Sequence, residues 1–213
     1  MTIMATLLAD LPLFPLGTVL FPEGLLSLRV FEARYLDMAR DCLRRDAPFG
    51  VCLLKSGSEV SLPGGDQPEP EPIGCLAQIV NCDVQQLGVL LLRCRGSQRF
   101  RVISTHVEKD GLLRAVAEPL GDDTVEDDSD AHRMRLASCS EALSRIIDNV
   151  KERDPNHIPF LEPFRLDDAS WVANRLSEVL PISIRARQQL MELDDAGTRL
   201  ELVHQYMMRH QML

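Results

Sequence analysis

What this sequence lacks narrows its function before any motif is found. Its 213 residues hold only three lysines (Lys55, Lys109, Lys151), two tyrosines and one tryptophan. None of the 12 glycines is followed by lysine, so a Walker phosphate cradle is missing. No two glycines stand two apart, which excludes a GxGxxG dinucleotide loop. GxSxG and HExxH are also missing. The five histidines (His106, His132, His157, His204, His210) are scattered. His204 and His210 are six apart, a spacing that does not stack two ligands on one helix face as four would. Lys151 follows Ser144 by seven residues in a helical stretch, but Glu152, Arg153 and Asp154 beside it argue for solvent. A Ser-Lys dyad needs a buried amine of lowered pKa. The expectation is a protein that is not an enzyme and uses no metal or cofactor.

The six cysteines (Cys42, Cys52, Cys75, Cys82, Cys94, Cys139) contain no CxxC pair and mostly sit among apolar residues. Buried, reduced thiols are expected, since free cysteine behaves as a small hydrophobe. No apolar run approaches the roughly 18 to 20 residues of a membrane span. The start, MTIMATLLADLPLFP, has no basic residue before its short apolar stretch and no small-residue cleavage site. It reads as mature protein, expected in the cytoplasm without membrane contact.

What is present divides in two. The net charge is -9, and residues 121–131 (GDDTVEDDSDA) carry six of the acids and no base. Such a run reads as a solvated linker. The acidic balance opposes non-specific nucleic-acid binding, which neutralises phosphates with Lys and Arg.

Before the run, Leu25–Val30 reads as a strand. A helix follows, with Phe31, Tyr35, Met38, Ala39, Cys42 and Leu43 on one face. Further strands are expected at 49–54, 73–82, 87–94, 98–105 and 112–118, with a long exposed loop from Ser56 to Pro72. After the run the spacing is helical. Leu136, Leu143, Ile146, Ile147 and Val150 form one stripe. Trp171, Val172, Arg175, Leu176, Val179 and Leu180 form another, which Pro181 stops. A third begins at Ile184, Arg187, Gln188 and Met191. Thr198-Arg-Leu-Glu201 reads as a capping box opening a last helix. The fold class expected is α+β. A β-rich pseudo-barrel lobe covers 1–120, an acidic linker 121–131, and a C-terminal helical bundle lobe 132–213.

One charged feature has shape. If 87–95 and 97–105 form a hairpin, Arg93, Arg95, Arg99 and Arg101 crowd one sheet face, where they could bind an anion or phosphate. The bland alternative is a solvated face with acids such as Glu118 pairing across strands.

The segment Leu11-Pro-Leu-Phe-Pro-Leu-Gly-Thr-Val-Leu-Phe-Pro-Glu-Gly24, followed by Leu28-Arg-Val-Phe-Glu-Ala-Arg-Tyr35, resembles the start of the Lon protease amino-terminal (substrate-binding) domain family. Ile73-Gly-Cys-Leu-Ala-Gln-Ile79, Gly96-Ser-Gln-Arg-Phe-Arg-Val102, and Trp171 through Pro181 leading into Arg187-Gln-Gln-Leu-Met-Glu192 agree in order. The likeness runs from about residue 11 to 210. It implies a PUA-like β lobe joined to a helical lobe, in a stand-alone form expected to lack the ATPase and peptidase that follow this domain in Lon. In Lon the domain contacts protein substrates and helps assembly; a related domain sits in cereblon. Read physically, Pro12, Pro15 and Pro22 hold the first motif extended. Its Leu13, Phe14, Leu16, Val19 and Phe21 line the core.

The function expected is therefore recognition of proteins or unfolded peptide segments, beside a separately encoded protease or chaperone. Val60 and Leu62 in the long loop and Met207 and Met208 in the last helix are candidate contacts, with the four arginines steering acidic segments. The competing expectation is a PUA-like RNA-binding module using the arginine face.

Overall fold

The computed structural model describes residues 6–58, 67–124, 129–154 and 158–213. They form two compact units, Met1–Gly121 and Asp122–Leu213.

The first unit contains β1 (Leu8–Leu16), β2 (Leu25–Val30), α1 (Ala33–Arg45), β3 (Phe49–Ser56), β4 (Glu69–Gln86), β5 (Val89–Val107) and β6 (Leu113–Pro119). The six-stranded sheet runs β2-β5-β4-β3-β1-β6, and β6 pairs again with β5, so the sheet closes on itself. The 19-residue β5 makes this closure possible. Its first half carries β2, its second half carries β6, and β4 runs along both. Closure removes most of the exposed strand edges that invite aggregation.

Two strands were expected where β5 is one. The chain does not reverse at Gly96; it reverses at the two-residue turn Leu87-Gly88, where Gly88 takes φ 80°. Gly96 meets another demand. It exchanges backbone hydrogen bonds with the segment after β1, Gly96 N–H to Gly24 O at 2.8 Å and Glu23 N–H to Gly96 O at 2.9 Å. A Cβ there would collide with the Phe21 carbonyl. The long loop is also shorter than expected. β4 begins at Glu69, so Pro70 and Pro72 lie in a strand, and Glu69 receives Lys55 Nζ at 2.6 Å and Ser56 Oγ at 2.9 Å.

The helix α1 covers one side of the closed sheet. Tyr35, Met38, Ala39 and Cys42, spaced three or four apart, pack on Phe14, Phe49, Val51, Cys75, Leu92 and Cys94. Tyr35 stacks on Phe14 with ring centroids 3.8 Å apart. Arg34, buried, donates to Gly111 O at 2.9 Å and pairs with Glu32 at 3.0 Å. Phe31 and Leu43, expected on this buried face, are exposed. Phe31 precedes the Glu32 cap and so lies outside the helix. Leu11, Leu13, Cys52, Leu76, Phe100, Leu113, Ala115 and Ala117 form a second apolar cluster.

The second unit contains α2 (Asp130–Arg153), α3 (Ala169–Val179), α4 (Ile184–Glu192) and α5 (Ala196–Arg209). Each starts on a side-chain cap, Ser129, Asp168, Ser183 and Asp195 in turn. The expected cap at Thr198 is displaced. Asp195 accepts the backbone N–H groups of Gly197 and Thr198, so the cap lies three residues earlier and Thr198 falls inside the first turn of α5. Cys139, Leu143, Ile147, Trp171, Val172, Leu176, Leu200 and Val203 supply the core, with Phe160 and Phe164 against Trp171.

The acidic run is not wholly solvated. Asp123 is buried against Arg199, and Thr124 forms a parallel bridge with Asp195. Thr124 N–H donates to Asp194 O at 3.0 Å and Thr124 O accepts from Ala196 N–H at 2.9 Å. A carboxylate with a buried guanidinium to reach behaves as core, whatever the charge of its neighbours.

Candidate protein-recognition surfaces

The four arginines do not share a face. Gly96 pairs with Ala77 on β4, but Arg99 pairs with Cys75, so three steps on β5 match two on β4. This β-bulge inserts one residue, and one residue reverses the side to which every later side chain points. Arg93 and Arg95 are exposed on one side. Arg99 is buried on the other, beside the register of Cys75. Arg101 stands opposite Ile73 on β4 and Glu118 on β6. Arg95 is also committed to a salt bridge with Glu23.

The other expected contacts fare differently. Val60 and Leu62 lie outside the described residues. Met207 is 1% exposed within the helical core, so it is packing and not a contact surface. Met208, one position on, is 58% exposed. Adjacent helix residues lie about 100° apart, and a run of methionines cannot keep one face.

Sequence reasoning missed the turn between β4 and β5. Val30, Leu90 and Val84 form one row across β2, β5 and β4. Burial falls along it, from Val30 under α1, through half-buried Leu90, to Val84 at 67% exposed. Leu87 at the turn is fully exposed, and Phe31, next to Val30, is 56% exposed. The signal was an apolar residue at a two-residue turn, where polar residues are usual. Exposed apolar groups in one place mark interaction sites more often than scattered ones.

Two concave features accompany this patch. A cavity of about 320 Å³ opens between β1 and α1 in the first unit, lined by Leu8–Pro12, Met38, Cys42, Arg45, Pro48 and Arg114 among others. A groove of about 240 Å³ between α4 and α5 is lined by Leu180, Ile182, Leu190, Leu193, Leu202, Val203 and Tyr206. Neither presents an activated nucleophile. Burial pushes the Cys94 and Cys139 thiols up to about 12 and raises those of Cys42 and Cys52. Asp10, His106 and Glu108 lie close enough together to hold a cation, but all three are exposed. Arg114 already occupies this cluster, 3.1 Å from Asp10 and 2.6 Å from Glu108.

The substrate-binding domain profile of ATP-dependent protease La (LON) matches residues 10–209. The chain belongs to this family. Lon protease of Anaeromyxobacter dehalogenans (strain 2CP-C) is 23% identical over 196 residues, 92% of this chain and 22% of that protein. Lon protease 2 of Myxococcus xanthus is 25% identical over 197 residues, 91% of this chain and 23% of that protein. The chain thus spans less than a quarter of these relatives. Among solved structures, the Lon N-terminal domain protein from Xanthomonas campestris superposes with a TM-score of 0.66 at 36% identity, over 92% of this chain and 97% of that one. The N-terminal domain of Mycobacterium avium complex Lon protease gives 0.64 at 13% identity, over 94% and 99%, a likeness of fold alone. In this LON substrate-binding domain no described helix is long and apolar enough to cross a membrane.

Proposed function

We propose that this chain recognises protein clients without acting on them chemically, and that the β4–β5 turn is its main contact. The observation that carries the reading is the set Leu87, Val84 and Phe31, which at 101%, 67% and 56% are the most exposed large apolar residues among the described residues of the first unit. A rigid hairpin offering aliphatic groups to solvent suits unfolded segments, whose own apolar side chains seek cover. The family membership supports a substrate-binding role. A client held here would be passed to a protease or chaperone, in keeping with the Lon proteases among the relatives. The RNA reading loses its footing, because the bulge divides the arginines that were to carry it.

The test replaces Val84 and Leu87 together by serine and measures binding to a reduced, carboxymethylated model protein. Interfaces of this modest size bind weakly, so the parent affinity is expected at about micromolar. Losing two apolar contacts should weaken it by about tenfold. Unchanged binding by a folded variant would remove the hairpin from the reading. Salt-sensitive retention of RNA would favour the competing one.

A further inference from the structure

The cavity between β1 and α1 has an unusual wall. Five consecutive residues, Leu8 through Pro12, line it. Side chains alternate along a strand, so one face contributes only every second residue. β1 pairs with β6 through Leu8 and Leu11 with a bulge between them, and what these five residues turn to the cavity includes the strand's other edge. It is the edge on the β3 side, because Ala47 and Pro48, just before β3, complete the lining. β3 pairs with β1 only from Leu13 onward, and among the described residues no strand pairs with Leu8–Pro12 on that side.

We infer that this site takes an extended polypeptide segment as an added strand, with a large aliphatic side chain in the cavity and an adjacent acidic residue at Arg45. The edge selects the conformation, since alternating backbone donors and acceptors are matched best by another extended backbone. The cavity selects the side chain. Its floor is Leu8, Leu11, Met38, Cys42 and Pro48, and its volume of about 320 Å³ suits one large side chain with its backbone, not a helix. The rim selects the charge. Asp41 lies 2.9 Å from Arg44 but 3.9 Å from Arg45, and Arg114 holds Asp10 and Glu108. Arg45, 68% exposed, is the least engaged cation at the mouth. Pro12 lacks an N–H and stops the ladder early, so the added strand is short and its binding weak.

This site rests on the protein-recognition reading but is separate from the β4–β5 turn. The probe is a fluorescein-labelled, end-capped octapeptide of alternating threonine and valine with a central leucine beside a glutamate. Fluorescence anisotropy with the full chain should give saturable binding at about micromolar concentration. Replacing the probe's leucine by serine should weaken binding by about tenfold, the worth of one buried aliphatic side chain. Replacing its glutamate by lysine should weaken it several-fold, and Arg45→Glu should reverse that preference. Ala9→Pro, on the exposed edge, should abolish binding by breaking the ladder. No binding, equal binding of the leucine and serine probes, or an unreversed charge preference overturns the site. The variant carrying serine at both 84 and 87 should bind the octapeptide like the parent. If it does while the unfolded client ignores those changes, the hairpin reading falls and this site stands.

Discussion

Removing the Asp123 carboxylate should be among the most damaging single changes in the second unit, although Asp123 sits in the most acidic stretch of the sequence. Arg199 is 1% exposed and uses all its N–H donors. Its Nε reaches Leu190 O at 2.7 Å, Nη1 reaches Asp123 and Asn174 Oδ1 (3.0 Å), and Nη2 reaches Asp123 Oδ1 at 3.1 Å and Leu193 O. Ser170 Oγ donates to the same carboxylate. Asp123→Ala leaves a buried guanidinium with neutral acceptors only, a change worth about 3–5 kcal/mol of stability. Arg199→Met strands the carboxylate and three acceptor oxygens and should cost a similar amount. The double variant buries no unpaired charge. Its loss should fall short of the sum by at least about 2 kcal/mol, the signature of direct coupling. Urea unfolding followed by tryptophan fluorescence suits the measurement, because Trp171 is the single tryptophan and lies in this unit's core. A shift below about 0.5 kcal/mol for Asp123→Ala, the size of an ordinary surface change, would refute the reasoning, as would additive single variants.

Burial should make the thiols slow to react with a chromogenic reagent in the native state. Cys82, half-buried, should titrate first and the other five only on unfolding. Gly96→Ala should destabilise the first unit by about 1–3 kcal/mol, since the Phe21 carbonyl must move to admit the methyl group, and a melt within error of the parent would contradict it. Burial pushes the Glu178 carboxyl up from 4.5 to about 7 against the pull of Arg175 and Arg187. In that window the folded state holds a proton that the unfolded state has lost. Stability should therefore fall as pH rises from about 4.5 to about 7 and level off above, relative to Glu178→Gln at each pH. Purified protein should hydrolyse neither ATP nor casein, and turnover abolished by one point substitution in this chain would overturn that expectation.

The α+β class was legible because its signals are local. Period-two and period-3.6 patterns and prolines act within a few residues. The motif from Leu11 to Tyr35 placed Leu13, Phe14, Leu16, Val19 and Phe21 in the core, and the structure buries each. The arginine face failed at one residue. A bulge is fixed by how β4 and β5 align, and nothing within either strand announces it. Met207 and Met208 likewise differ only in which side of α5 meets the core.

By itself, then, the sequence determined the elements, the family and the lack of recognised catalytic motifs, because these depend on composition and near-neighbour spacing. Only the tertiary structure decided where polar and apolar groups ended up. It buried Asp123 because Arg199 comes from 76 residues away to meet it. It exposed Val84 and Leu87 because the β4–β5 turn emerges from under α1. Among the described residues it left Leu8–Pro12 unpaired on the β3 side of β1, because β3 joins only at Leu13. Each is a pairing between distant segments, and its free energy belongs to the contact, not to either residue alone.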